Sequence, residues 1–361
     1  MRLASARVRR VAGRLPAEVH NSRATWTERR GLLLQLATED GRIGQGDASP
    51  LPGYSSDTLE ECEAALAALC SSPLGEIDLD ASAAPQVRQW LQSRDLPAAA
   101  RFAAETALFD LIAQSTNRPM AELLGSDVAP HEVPVAALLD SGGDAGATST
   151  EAGATSTSAG NRAEVLRAAS TARARGVRTF KVKIGSPGMF DGELEVLRAL
   201  RRELGWGVQL RLDANGAFPL DEAFDRLRAL AELKPEFIEE PVPLGQLAAF
   251  ALSRPSLPLP LAADESLAHP RLLPDLLPAF ERGRVEVAVL KPTLLGGALA
   301  CLDLTGRLAP LGARFTVTHA FEGPIALKAA TVLASVLPGL ILAAGLDRHP
   351  GLAIWAEMDS A

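Results

Sequence analysis

Hydrophobic positions along the 361-residue chain fall into two regimes. In the first, GLLLQLATEDGRIGQGDAS (31–49) reads as two strands around a Glu39-Asp40-Gly41 turn, an antiparallel hairpin. The earlier ARVRRVAGRL alternates loosely and predicts a first strand. Ser56 and Glu60 open the stretch DTLEECEAALAALC, whose Leu59, Leu66 and Leu69 recur at helical spacing. A second helix over about 98–115 carries Phe102, Leu108, Phe109 and Ile112 on one face. Residues 1–125 therefore predict a small α+β unit, onto which the C-terminal residues are expected to pack back.

From about residue 131, short apolar runs alternate with amphipathic helical stretches. The runs are VPVAALL (133–139), VRTFKVKI (177–184), VQLRLD (208–213), FIEE (237–240), LPLAADE (259–265), VEVAVLK (285–291), RFTVTH (314–319) and LILAAGLD (340–347). Alternating strands and helices predict a parallel sheet, and eight such units close into a barrel over 126–361. One segment, 140–161, holds AGATST twice and has almost nothing to bury, so it reads as a low-complexity loop. It follows the first barrel strand and so belongs to the face where barrels keep their active sites.

With 47% hydrophobic and 22% charged residues, the composition excludes a disordered or fibrous chain. The net charge of -8 argues against nucleic acid or an anionic membrane as partner, since either calls for a basic field. Taken globally, it also argues against an acidic ligand. Cys62, Cys70 and Cys301 show neither disulfide-framework nor zinc spacing and read as reduced thiols. No apolar stretch has the length of a signal peptide or a membrane span, so the expected location is cytoplasmic. The Arg- and Ser-containing N-terminus also permits a transit peptide, but the strand reading is preferred. A homo-oligomer is compatible with this sequence.

The candidate chemistry lies at the C-terminal ends of the barrel strands. Lys183, Asp213, Glu239, Asp264 and Lys291 sit there at steps of 30, 26, 25 and 27 residues, close to one βα unit each. Ionisable groups at that end of consecutive strands converge on one mouth. Three neighbouring carboxylates repel unless a cation sits between them, and hard oxygen ligands suit Mg²⁺, with Mn²⁺ as substitute. Two lysines flank the triad. Such a site suits removal of a proton from the carbon next to a carboxylate, with the metal stabilising the enediolate and a lysine of lowered pKa taking the proton. Lys181 and Lys183, two apart and alternating with Phe180, Val182 and Ile184, both point into the barrel. The neighbouring ammonium and the metal favour a neutral Lys183.

In this order and spacing, KVKIG, LDANG, FIEEP, ADES and VLKPTLLGG resemble the enolase superfamily, in its muconate-lactonizing subgroup, across nearly the whole chain. The resemblance implies a modified TIM barrel, (β/α)7β, with an N-terminal α+β capping domain. It implies Asp213, Glu239 and Asp264 as Mg²⁺ ligands, Lys183 and Lys291 as catalytic lysines, and Glu240 and Asn215 as supports; the superfamily's lysine base and metal-stabilised enediolate are general knowledge. Lys291 on the sixth strand excludes the mandelate-racemase pattern, which uses a histidine from the seventh. Dipeptide epimerases of the subgroup carry a DxD pair at the last strand, where this chain has Gly345-Leu346-Asp347.

The cap segment GQGDASPLPGYSSDTLEE (44–61) is similar to that of o-succinylbenzoate synthases, and Arg211 also matches that group. This likeness implies syn dehydration of 2-succinyl-6-hydroxy-2,4-cyclohexadiene-1-carboxylate in menaquinone synthesis, a small-molecule carboxylate substrate. Lys183 would act as base and then acid, with Lys291 stabilising from the other face. The segment THAFEGPIAL departs from the Ser-rich version of several synthases; it offers His319 and Glu322 as substrate-contact candidates, beside Leu51 and Tyr54 of the cap. An N-acylamino-acid racemase or cycloisomerase could use the same five residues. A non-catalytic binding barrel has no need of such clustered charge. Counting Lys181, Lys183, Lys291 and Arg211 against the metal-loaded triad leaves the mouth at about +3, or about +2 with Lys183 neutral, which suits a dianion.

Overall fold

A computed structural model describes residues 1–20, 25–139 and 158–347. Strands Leu3–His20 (β1), Thr25–Thr38 (β2) and Ile43–Ala48 (β3) form an antiparallel sheet in the order β1-β2-β3. The β2–β3 turn uses Gly41 at φ 86°, within the anticipated Glu39-Asp40-Gly41, and β1 runs beyond the anticipated first strand at both ends. Alternation along β2 sends Leu32, Leu34 and Leu36 into the core, each fully buried.

Helices α1 (Leu59–Cys70) and α3 (Ala98–Thr116) pack on the sheet, and α2 (Ala83–Gln92) and the single turn α4 (Met120–Leu123) pack against α3. Helix α1 starts at Thr58, not at Ser56 with Glu60. The Thr58 hydroxyl accepts from the Glu61 backbone, and Glu61 accepts from the Thr58 backbone, a reciprocal pair that needs a spacing of three. Helix α3 is buried on nearly all sides, wider than the one face its large side chains suggest, because Ala99, Ala100, Ala103, Ala104 and Ala107 admit neighbours all round. Its contact with β3 depends on Gly44 and Gly46. A Cβ there would stand 2.1 and 1.9 Å from the carbonyl oxygens of Ala107 and Ala103.

Eight strands follow: β4 (Ala136–Leu139), β5 (Thr179–Lys183), β6 (Gln209–Asp213), β7 (Phe237–Glu239), β8 (Leu261–Ala263), β9 (Val287–Leu290), β10 (Arg314–Val317) and β11 (Leu340–Ile341). Each lies inside one of the eight apolar runs. They pair in parallel and in chain order, and a parallel bridge between Val135 and Ala344 joins the last strand to the first. Ala136 N donates to Ala344 O at 2.8 Å and Ala344 N to Pro134 O at 2.7 Å, so the sheet closes into a barrel.

Outside it run α5 (Ser158–Ala174), α6 (Phe190–Leu204), α7 (Leu220–Ala231), α8 (Leu247–Leu252), α9 (Glu265–Ala268), α10 (Leu273–Glu281), α11 (Pro292–Leu295), α12 (Ala298–Leu308) and α13 (Pro324–Val336). The two AGATST copies and the C-terminal residues from 348 onward lie outside the described residues. Among the described residues, no helix is long and apolar enough to cross a membrane.

Parity along the strands divides the barrel into layers. Phe180 and Val182 point outward beneath the helices. Phe237, Ala262, Val287, Val289 and Leu342 fill the interior as an apolar floor. Cap and barrel are joined by buried carboxylates. Glu105 of α3 accepts from Ala298 N (2.5 Å) and Leu299 N, capping α12 across the seam. Asp47 of β3 does the same for α13, accepting from Gly323 N at 3.1 Å and Ala326 N at 2.7 Å.

Burial pushes the Glu105 carboxyl up to about 8 despite those two donors. A raised folded-state value means that folding favours the proton-bound form. The contribution is complete below the ordinary carboxyl range and is lost as pH rises through about 8. The urea midpoint of the parent should therefore fall relative to that of Glu105→Gln between acidic and mildly alkaline pH; parallel midpoints would show that Glu105 has no part in it. Gly46→Ala should cost about 2 kcal/mol or more, because helix backbone has to move, read as a lowered melting temperature.

Candidate active site

Strand register sets the mouth. Lys183 pairs with Asp213 across β5 and β6, and Asp213 with Glu239 across β6 and β7, so these three inward side chains share one level. Asp264 follows the last residue of β8 and Lys291 the last residue of β9. The lysines on β5 and β9 therefore bracket the carboxylates of β6, β7 and β8.

The backbone turns sharply just past two of these strands. Asn215 adopts φ 43° and Glu240 φ 39°, a region that side chains other than glycine and asparagine rarely occupy. The kink directs Glu239 inward and Glu240 sideways. There Glu240 accepts from Asp264 N (2.9 Å), Ser266 N (2.9 Å) and Ser266 Oγ (2.8 Å) and so fixes the β8 end. Asn215 Oδ1 accepts from Lys183 Nζ at 3.3 Å, and Asn215 Nδ2 donates to Glu265 Oε1 at 2.9 Å. Glu265, beside Asp264 in ADES, carries no signal of its own in the sequence, and only the fold brings it to Asn215.

Asp213, Glu239 and Asp264 are all buried, and each offers a carboxylate oxygen within 4.8 Å of the others. Lys181 Nζ lies 2.9 Å from Asp213 Oδ2 and 2.5 Å from Glu239 Oε2; Lys291 Nζ lies 2.6 Å from Asp264 Oδ2. Burial alone would lower the Lys181 ammonium, but Asp213 and Glu239 hold it well above the lysine range. Burial likewise opposes the charged form of Lys291, and Asp264, Glu265 and Glu239 together outweigh it, so its value rises. Burial pushes Glu239 up against the pull of Lys181, whereas for Asp213 the lysines prevail over burial and the value falls. Asp264 Oδ1 is buried without a hydrogen-bond partner. Three converging carboxylates with an unsatisfied oxygen fit a hard divalent cation that takes oxygen ligands.

The remaining candidates divide by place. Tyr54 reaches into the site from the cap: its hydroxyl donates to Asp264 Oδ2 at 2.9 Å and accepts from Lys291 Nζ. Leu51 packs with Trp26, Tyr54 and Phe321 in an apolar roof. His319 is half-buried past the end of β10, its ring 5.0 Å from that of Phe321 and its Nδ1 accepting from Phe321 N. Glu322 is not at the mouth surface. It is buried, one oxygen accepting from Thr293 Oγ1 and the other from Ala320 N, both at 2.6 Å.

Arg211 corrects the charge count. It lies one inward position below Asp213, where its guanidinium pairs with Glu236 at 2.7 Å, donates to Ala343 O at 2.6 Å and stacks on Phe237. It therefore belongs to the floor. Trp26, Arg29 and Phe321 are roof residues that the sequence did not single out. Trp26 and Arg29 stand on β2 and Phe321 in the loop after β10, and none of them lies in a motif that marks a site.

The "Mandelate racemase / muconate lactonizing enzyme, N-terminal domain" family matches residues 4–125, and "Enolase C-terminal domain-like" matches 164–358. The chain is 30% identical to an o-succinylbenzoate synthase of Thermosynechococcus vestitus over 91% of its length and 88% of that protein's. It is 33% identical to an L-Lys-D/L-Arg epimerase of Methylococcus capsulatus over 66% of its length and 61% of that protein's. A solved dipeptide epimerase from Methylococcus capsulatus, complexed with Mg and the dipeptide L-Arg-D-Lys, superposes with a TM-score of 0.78. That match has 26% identity and covers 96% of this chain and 91% of the other. With both family domains matched in order around a mouth of this geometry, the chain belongs to the enolase superfamily, in its mandelate racemase and muconate lactonizing branch.

Proposed function

We propose that this protein is an o-succinylbenzoate synthase, a cytoplasmic enzyme of menaquinone synthesis that dehydrates 2-succinyl-6-hydroxy-2,4-cyclohexadiene-1-carboxylate to 2-succinylbenzoate. The ordered mouth, Lys183, Asp213, Glu239, Asp264 and Lys291 at the ends of five successive strands, supports the shared proton-abstraction chemistry, and the observation that carries the dehydration reading is Gly345 where the epimerases have an aspartate. Lys183 removes the proton from C1, next to the carboxylate, and the electron pair left behind forms the C1–C6 double bond. The C6–O bond breaks on the same face, and Lys183 returns its proton to the departing hydroxyl, so water leaves and the ring becomes aromatic. Lys291 faces the carboxylate from across the triad as an ammonium. Mg²⁺, held by Asp213, Glu239 and Asp264, would supply positive charge against which the carboxylate gains electron density.

The roof of Trp26, Leu51 and Phe321 suits an apolar ring and excludes water. The last strand supports this choice within the superfamily. Gly345 stands where dipeptide epimerases carry an aspartate, and a Cβ there would meet Thr318 Cγ2 at 2.8 Å. Asp347 is turned toward Arg175, at 3.4 Å. Among the described residues, no carboxylate pair at this strand end is thus offered to a substrate ammonium. A second reading is favoured by the epimerase relatives: with lysines on both sides of the triad, a proton could leave one face and return on the other, as in an N-acylamino-acid racemase.

Purified protein with Mg²⁺ should convert the cyclohexadiene to 2-succinylbenzoate, and Lys183→Ala, with its fold intact by circular dichroism, should lose about 10²–10⁴-fold in rate. A variant that keeps most of its rate removes Lys183 as base. Racemisation of N-succinyl amino acids with α-deuterium uptake from D₂O, and no dehydration, would favour the second reading instead. Treatment with EDTA should abolish turnover and added Mg²⁺ restore it; full activity after exhaustive chelation would overturn the triad's assignment.

A further inference from the structure

The roof rests on one buried cation. Arg29 of β2 is 1% exposed, and among the described residues its guanidinium donates to three backbone carbonyls and to no carboxylate. NH2 donates to Ser49 O at 2.8 Å and NH1 to Pro50 O at 3.3 Å, both at the start of the cap loop that carries Leu51 and Tyr54. Nε donates to Phe321 O at 2.9 Å, in the loop that leaves β10 past His319. A planar guanidinium has donors in three directions, which is what joins two loops from two domains at one point. Phe321 itself sits at φ 59°, a backbone state that needs outside support. Its neighbour Glu322 ties the same loop to Thr293, two residues past Lys291, and Asp47 ties Gly323 to the cap.

Burial lowers the Arg29 value to about 10, against the pull of Glu322 and Asp47, so it remains charged at neutral pH. From the cap loop Tyr54 contacts Asp264 and Lys291, and from the other loop Phe321 packs against Trp26 and His319.

We infer that Arg29 is a positioning residue that sets the height and register of the roof over the mouth, and so determines how tightly the substrate's apolar part is held, without touching the reacting atoms. Lys183 and the triad stand on barrel strands that Arg29 does not contact. Losing it should therefore loosen the roof and, through Tyr54, the hold on Asp264 and Lys291, while Lys183, Asp213 and Glu239 keep their places. A lysine reaches a single carbonyl and cannot bridge the loops, so Arg29→Lys should behave nearly as Arg29→Met does.

The decisive measurement is hydrogen exchange followed by mass spectrometry on both variants. Peptides covering 49–55 and 319–323 should exchange at least tenfold faster, while α3 and β5–β9 keep the parent's protection. Unchanged exchange in either loop, or an equal rise across the molecule, would overturn the inference; the Arg29→Lys variant, which keeps the buried charge, guards against simple unfolding of Arg29→Met. This arm needs no substrate and stands whatever the reaction proves to be. A second arm rests on the proposed dehydration: KM should rise about tenfold, by more than any fall in kcat. A fall in kcat at constant KM would mean only a reduced folded fraction and would also count against it.

Discussion

Three carboxylates that must converge without water dominate this protein. Removed from solvent, like charges separated by a few ångströms repel strongly, so the arrangement exists only where opposite charge is supplied beside it. In the structure Lys181 bridges Asp213 and Glu239, and Lys291 holds Asp264. Both lysines stand at β5 and β9, the strands that flank the triad, which a parallel barrel makes natural: each strand brings its end to the same rim. The apolar floor beneath keeps that rim dry from the other side, and Arg211, turned to Glu236, closes it.

The cap completes what the barrel leaves open. Tyr54 reaches Asp264 and Lys291, and Trp26, Leu51 and Phe321 cover the mouth with apolar surface. A cap that moved freely could do neither, and the seam is accordingly held by polar groups aimed at backbone. Glu105 and Asp47 occupy the N-termini of two barrel helices, whose otherwise unpaired N–H groups donate to their carboxyl oxygens. Arg29 does the converse and serves carbonyls that no secondary structure pairs. Each seam contact satisfies groups that would otherwise be buried unbonded, so cap closure and backbone satisfaction are one requirement.

Charge has to be read on two scales. The overall -8 describes a surface that would repel nucleic acid. At the mouth, with Arg211 withdrawn to the floor, Lys181, Lys183 and Lys291 leave the triad about neutral before a divalent cation binds and about +2 with it. A dicarboxylate still fits, with a smaller surplus than a count along the sequence suggests. The difference arises because a strand residue's parity fixes whether it faces inward, while its level along the strand decides whether it meets the mouth or the floor.

What the sequence determined by itself was whatever a short period encodes. Eight apolar runs mapped onto eight strands, the KxK alternation placed both lysines inward, and the charged strand ends specified the mouth, because strand parity and unit spacing are local properties of the chain. The start of α1 was misplaced since a capping box needs a spacing of three, and the burial of α3 was understated since alanine signals no face until its neighbours are known. The roof was the tertiary structure's decision. Arg29 meets Phe321 across 292 residues of chain, and Tyr54 meets Asp264 across 210. No periodicity reports such pairs, for they come into being only when cap and barrel close on each other and the unpaired backbone between them has to be satisfied.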